Sequence, residues 1–156
     1  MVIKQMSPED KDLLAALTEP LRRGLLTADA DLDNYLSALE GSFPFPGNRL
    51  EWTMVPNVVT EMVSAPYAST SFSDSAKAFA AFLGKMVVQH GLAGSVVALG
   101  DGFVDLAICG DVRHVVTHLP AIANYPQHTY VFPYPDVSWC ASLMMEGYMD
   151  FAFSPT

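Results

Sequence analysis

The chain has 156 residues, enough to bury a core without disulfide staples, and is 51% hydrophobic with nine Phe, which excludes a disordered acidic tail. Seventeen acidic residues stand against eight basic ones, a formal charge of −9 that repels nucleic acid and anionic lipid and attracts basic protein surfaces. The imbalance sharpens toward the C-terminus: beyond Met86 there are six acids (Asp101, Asp105, Asp111, Asp136, Glu146, Asp150) and one base, Arg113.

One globular domain over 1–156 is expected. The start, Met1 to Glu9, lacks the basic-then-apolar layout of a secretory signal, so the expected location is the cytoplasm. No stretch of about 18 uninterrupted apolar residues occurs, because Asp101, Asp105 and Asp111 break the longest candidate.

Ser7-Pro8-Glu9-Asp10 predicts a helix start: a Ser cap, Pro in the first turn, and carboxylates near the positive end of the dipole. Leu13, Leu14 and Leu17 supply its buried stripe, and Pro20 stops or kinks it. Beyond Arg22 and Arg23 a second helix is expected, capped by Asp29 or Asp31. Its face is Leu32, Tyr35, Leu36 and Leu39, and Gly41 ends it. The two prolines in Ser42 to Asn48 forbid regular structure there. Glu51 to Val55 and Val58 to Val63 have strand-like composition. After a Ser/Thr-rich loop from Ser64 to Ser71, the clearest helix is capped by Ser73. Ala76, Phe79, Ala80, Leu83, Met86 and Val87 form its stripe, with Phe82 on the flank, and Gly91 closes it.

The remaining third reads mainly as antiparallel sheet. Ser95 to Leu99 and Phe103 to Cys109 form a hairpin across Gly100-Asp101-Gly102. With Leu99 facing Phe103, alternation places Val96, Ala98, Val104, Leu106 and Ile108 on one face. Val97, Leu99, Phe103, Asp105, Ala107 and Cys109 fall on the other. Asp111 can cap a helix burying Val112, Val115, Val116 and Leu119; a strand over 112–119 is the alternative. Thr129 to Phe132 is a further strand. Val137 to Met145 and Tyr148 to Phe153 pair across Glu146-Gly147, with Cys140, Met144, Met149, Phe151 and Phe153 toward the core. Trp139, Leu143, Met145, Tyr148 and Asp150 then share the opposite face. The fold class expected is α+β, with N-terminal helices packed on a mainly antiparallel C-terminal sheet.

No catalytic motif accompanies this fold. Cys109, His114 and His118 have metal-like spacing, with Asp111 as a fourth candidate. Val115, however, stands where a His-Glu-x-x-His helix places its general base, so no metal or cofactor is expected. A small metal-dependent hydrolase using His114 and His118 is the alternative. Cys140 has no local His to activate it, and the acidic setting opposes a thiolate. Gly100-Asp101-Gly102 is too short and wrongly charged to cradle phosphate.

The face carrying Trp139, Met145, Tyr148 and Asp150 has two readings: a second core layer covered by the N-terminal helices, or a partner surface, which the lone carboxylate favours. Trp139, Met145 and Tyr148 are anchor residue types, and Asp150 beside them would attract Arg or Lys. Asp101, Phe103 and Asp105 extend this surface at the tip of the first hairpin. The eight Met and the aromatics are also compatible with a homodimer or self-associating adaptor.

Small size, acidity, and the run from Val137-Ser138-Trp139-Cys140 to Met144-Met145-Glu146-Gly147-Tyr148-Met149-Asp150-Phe151 resemble bacterial toxin-immunity proteins of contact-dependent growth inhibition and related polymorphic toxin systems. The resemblance covers the last third of the chain. It implies a cytoplasmic, non-catalytic inhibitor that occludes a basic, nuclease-like toxin domain.

Overall fold

The computed structural model describes residues 6–63 and 72–155. The expected loop from Ser64 to Ser71 and the first five residues lie outside them. In chain order the elements are α1 (Pro8–Ala16), α2 (Thr18–Arg22), β1 (Leu26–Asp29), α3 (Asp33–Ser42), β2 (Val59–Met62), α4 (Ser73–His90), β3 (Ser95–Gly100), β4 (Ala107–Asp111), α5 (Val112–Ile122), β5 (Thr129–Pro133), β6 (Trp139–Leu143) and β7 (Tyr148–Phe153). The strands form one antiparallel sheet in the order β1-β4-β3-β5-β6-β7-β2. The class is α+β.

Local signals explain most boundaries. Ser7 and Asp10 form a reciprocal capping box on α1, and Asp111 caps α5 by accepting from the Arg113 N–H, so 112–119 is helix. Gly91, at φ +62°, closes α4 in the left-handed conformation that glycine adopts without strain. Other signals misplace the ends. Phe72, not Ser73, occupies the cap position of α4, and Leu32, not Asp29 or Asp31, precedes α3. Gly41 lies inside α3, and Pro20 lies within the short α2. Glu51 to Val55 is no strand; Trp52–Met54 makes a single 3-10 turn. The strand β1 has four residues with only Leu26 buried, too short a pattern to separate from a loop.

Apolar side chains project from both faces of the central strands. On one face Val96, Ala98, Ile108, Val131, Ala141 and Phe151 pack beneath Leu13, Phe79, Phe82, Leu83, Met86, Val115 and Leu119 from α1, α4 and α5. Phe82 is therefore core, not flank. On the other face Val97, Leu99, Tyr130, Phe132, Cys140 and Ala152 pack beneath Leu39, Phe43, Leu50 and Val55, from α3 and the irregular segment after it. Neither face of the sheet is open.

The two hairpins depart from expectation in different ways. In β3–β4, Val97 pairs with Cys109 and Ala98 with Ile108, so the connection is longer than the three residues expected. The shift is an even number of residues, and the assigned faces survive: Val104, Leu106 and Ile108 join Val96 and Ala98 in one core. In β6–β7 the slip is one residue, which moves every β6 side chain to the other face relative to β7. Trp139 pairs with Phe153 and Leu143 with Met149. The cause is a three-residue connection, 145–147: Gly147 adopts φ +96°, and the Met144 N–H donates to the Tyr148 carbonyl at 2.8 Å. Trp139 and Leu143 consequently share the helix-covered core with Met149 and Phe151, while Asp150 lies on the opposite face with Cys140 and Met144.

The long β3–β4 connection is held by one side chain. Gln127 Oε1 accepts from the N–H groups of Gly102, Phe103 and Val104 at 3.2, 2.8 and 3.1 Å. Gly100 makes room for it, since a Cβ there would stand 2.0 Å from Gln127 Nε2. Gln127→Leu, which keeps the bulk and deletes the acceptor, is expected to destabilise the protein by about 1–3 kcal/mol in urea unfolding. A loss below about 0.5 kcal/mol would show that water replaces the amide carbonyl.

Candidate functional site

Antiparallel pairing brings the last residue of β3 and the first residues of β4, β5 and β7 to the same end of the sheet, with the last residues of β2 and β6. Connections made there cannot be covered by the two core layers. Hydrogen bonds among the 101–106, 127–128 and 145–147 segments build a rim. The His128 N–H donates to Asp101 Oδ1 at 2.9 Å and the Asp101 N–H donates back to the His128 carbonyl at 3.2 Å. The Met145 N–H donates to His128 Nδ1 at 3.0 Å, so in the neutral ring the proton sits on Nε2. Asp105 is fixed through its backbone: its N–H donates to Oδ1 of the buried Asp10 at 2.8 Å. That bond also brings the start of α1, with its acids Glu9 and Asp12, against this end.

Phe103, Met145 and Tyr148 are each about half exposed at this end of the sheet, and Asp101 and Asp105 are exposed at the same end. Met62, the cross-strand partner of Tyr148, is exposed beside it. Five of the seven expected partner-binding residues are thus brought to one end. Trp139 and Asp150 are not part of it. Trp139 lies at the other end of β6, only 4% exposed, with its ring 5.8 Å from that of Phe151. Asp150, also 4% exposed, is inside the molecule.

Asp150 belongs to a second feature that the sequence did not signal. The segment Arg49–Thr53 crosses the sheet face near the β6–β7 turn and leaves a cleft of about 200 Å³, lined by Arg49, Glu51, Trp52, Glu146, Tyr148 and Asp150 among others. Arg49 Nη1 lies 2.8 Å from Glu146 Oε1 and 3.5 Å from His128 Nε2. The Trp52 indole N–H donates to Ser142 Oγ at 2.8 Å, and Thr60 Oγ1 donates to Asp150 Oδ1 at 2.7 Å. Each of these contacts joins residues ninety or so positions apart, beyond the reach of periodicity.

The electrostatics of the two carboxyls differ. The Arg49 guanidinium holds Glu146 below the usual carboxylate range. Burial pushes Asp150 up, and the Thr60 hydroxyl only partly opposes it.

No protein family, curated protein or solved structure matches this chain. The geometry alone therefore carries the chemistry. Among the described residues, no group of three or more His, Cys, Asp and Glu side chains is placed to hold a metal ion. His118 is depressed first by burial and then by the neighbouring His114. Cys140 is fully buried and its thiol is pushed well up by desolvation. Cys109 is half-buried and likewise raised, first by burial. No described helix is long and apolar enough to cross a membrane.

The shift at Asp150 has a measurable sign. The folded chain keeps this proton to higher pH than the unfolded chain does, so its contribution to stability is lost as pH rises from the ordinary aspartate pKa through the raised one. Asp150→Asn removes the buried charge while its amide carbonyl still accepts from Thr60. Its stability relative to the parent chain should rise across that window and then level off, read from urea midpoints between about pH 4 and pH 7. A difference that stays flat would show that Asp150 titrates as in the unfolded chain.

Proposed function

We propose that this protein is a non-catalytic binding module that captures a basic polypeptide on the rim at the end of its sheet. The observation that supports this reading is the exposure, at one end of the sheet, of Asp101 and Asp105 together with half-exposed Phe103, Met145 and Tyr148. Carboxylates attract and orient a positive surface, while aromatic and thioether side chains exclude water once it arrives. Arg49, the arginine beside this rim, is already matched by Glu146. The overall charge of −9 draws the same class of partner from a distance.

The resemblance to toxin-immunity proteins extends the reading: the partner is a nuclease-like toxin domain, basic because its substrate is a polyphosphate. The carboxylates occupy positions that phosphates would take. Inhibition is physical occlusion in the cytoplasm, with no bond made or broken by this chain. Trp139 and Asp150 have no place on the docking rim. Anchoring falls instead to Phe103, Met145 and Tyr148.

Recovery of the untagged protein from its native cells, followed by mass spectrometry, tests the proposal. A stoichiometric basic polypeptide is expected, with a nuclease activity that added protein suppresses. Phe103→Ala combined with Asp105→Lys should slow association about tenfold at low salt and flatten its salt dependence. Asp105 suits this test because its backbone, not its carboxylate, bonds Asp10. An acidic partner, a self-associated chain alone, or capture indifferent to the double variant would sink the reading.

A further inference from the structure

We infer that the cleft between Trp52 and Asp150 is a socket for one guanidinium or ammonium side chain, carried by the captured polypeptide. Asp150 is 4% exposed, receives its hydrogen bond from the neutral Thr60 hydroxyl, and has no cation within 4 Å among the described residues. A carboxylate removed from water without a counter-charge is costly, and a cation entering the cleft would supply the missing charge. The walls agree. Glu51 and Glu146 add two carboxylates against the single guanidinium of Arg49, which Glu146 already engages. The indole N–H of Trp52 is committed to Ser142, so what this ring has left to offer a ligand is its π face, and Tyr148 adds a second aromatic wall. This combination disfavours an anion.

Size narrows the ligand further. At about 200 Å³ the cleft is smaller than the roughly 300–1,000 Å³ of sites for cofactors and drug-sized molecules. A water occupies about 30 Å³ of liquid, so the space suits a small charged head on an aliphatic stem. Tyr148 belongs both to the rim and to the cleft wall, so the two features share a side chain. The identification of the source as a polypeptide rests on the binding role proposed above; the preference for a cation does not.

The test is titration of the full chain at constant ionic strength with butylguanidinium, with its neutral isostere butylurea, and with the blocked peptide acetyl-Gly-Arg-Gly-amide. The Trp52 indole N–H resonance is the reporter. A saturating shift with butylguanidinium, none with butylurea, and peptide binding at least as tight are expected. Asp150→Asn should weaken binding about tenfold or more. Thr53→Trp, at an exposed position in the cleft wall, should block it by bulk and keeps the test usable if the first variant misfolds. No saturating shift, an equal response to butylurea, or binding unchanged in both variants would overturn the inference. Exclusion of the peptide while butylguanidinium binds would overturn the polypeptide source. A silent cleft in a chain that still captures its partner, and loses it in the Phe103 and Asp105 double variant, would overturn this inference alone. Cation binding without any captured polypeptide would overturn the binding role and leave the cleft's cation preference standing.

Discussion

A sheet whose strands carry apolar side chains on both faces has to be covered twice before it is stable in water. Here α1, α4 and α5 cover one face, and α3 with the irregular segment after it covers the other. Tyr130, Phe132, Trp139 and Phe151 in the strands are used up as core, whereas Tyr148 and Phe153 of β7 stay about half exposed. The connections at one end of the sheet keep further side chains, Phe103 and Met145 among them, at the surface.

The rim at the end of the sheet is polar backbone held by a few side chains. Gln127 satisfies three consecutive N–H groups, His128 receives the Met145 N–H and gives its own to Asp101, and Asp10 receives that of Asp105. The same segments leave Phe103, Asp105, Met145 and Tyr148 exposed to solvent. In the binding role proposed above, segments already tied down would lose less entropy on association.

The irregular layer has a different physical character from the helical one. Segment 43–58 contains only the single turn of Trp52–Met54 and covers its face with separate anchors, Phe43, Leu50 and Val55. Between those anchors the packing is incomplete, and the cleft lined by Asp150 is the result. A buried carboxylate survives there because Thr60 on the neighbouring strand donates to it. Among the described residues no cation lies within 4 Å of it.

Reading residues in order was enough to determine the α+β class, the helix start at Ser7-Pro8, the closure at Gly91, and the two faces of β3 and β4, while 112–119 stayed open between helix and strand until the structure showed a helix. Each depends on neighbours within a few positions, and the faces of β3 and β4 withstood a wrong loop length because the shift was even. The formal charge of −9 was equally legible, since a charge count does not depend on folding. Tertiary structure alone decided the rest. A single extra residue in the β6–β7 connection sent Trp139 to the helix-covered core, and the segment crossing the other face buried Asp150 beneath it. The pairing of β1 with β4, the Arg49–Glu146 contact and the Thr60–Asp150 bond join segments far apart in the chain. Such partners are chosen by which surfaces the two covering layers bring together, and no local periodicity encodes that choice.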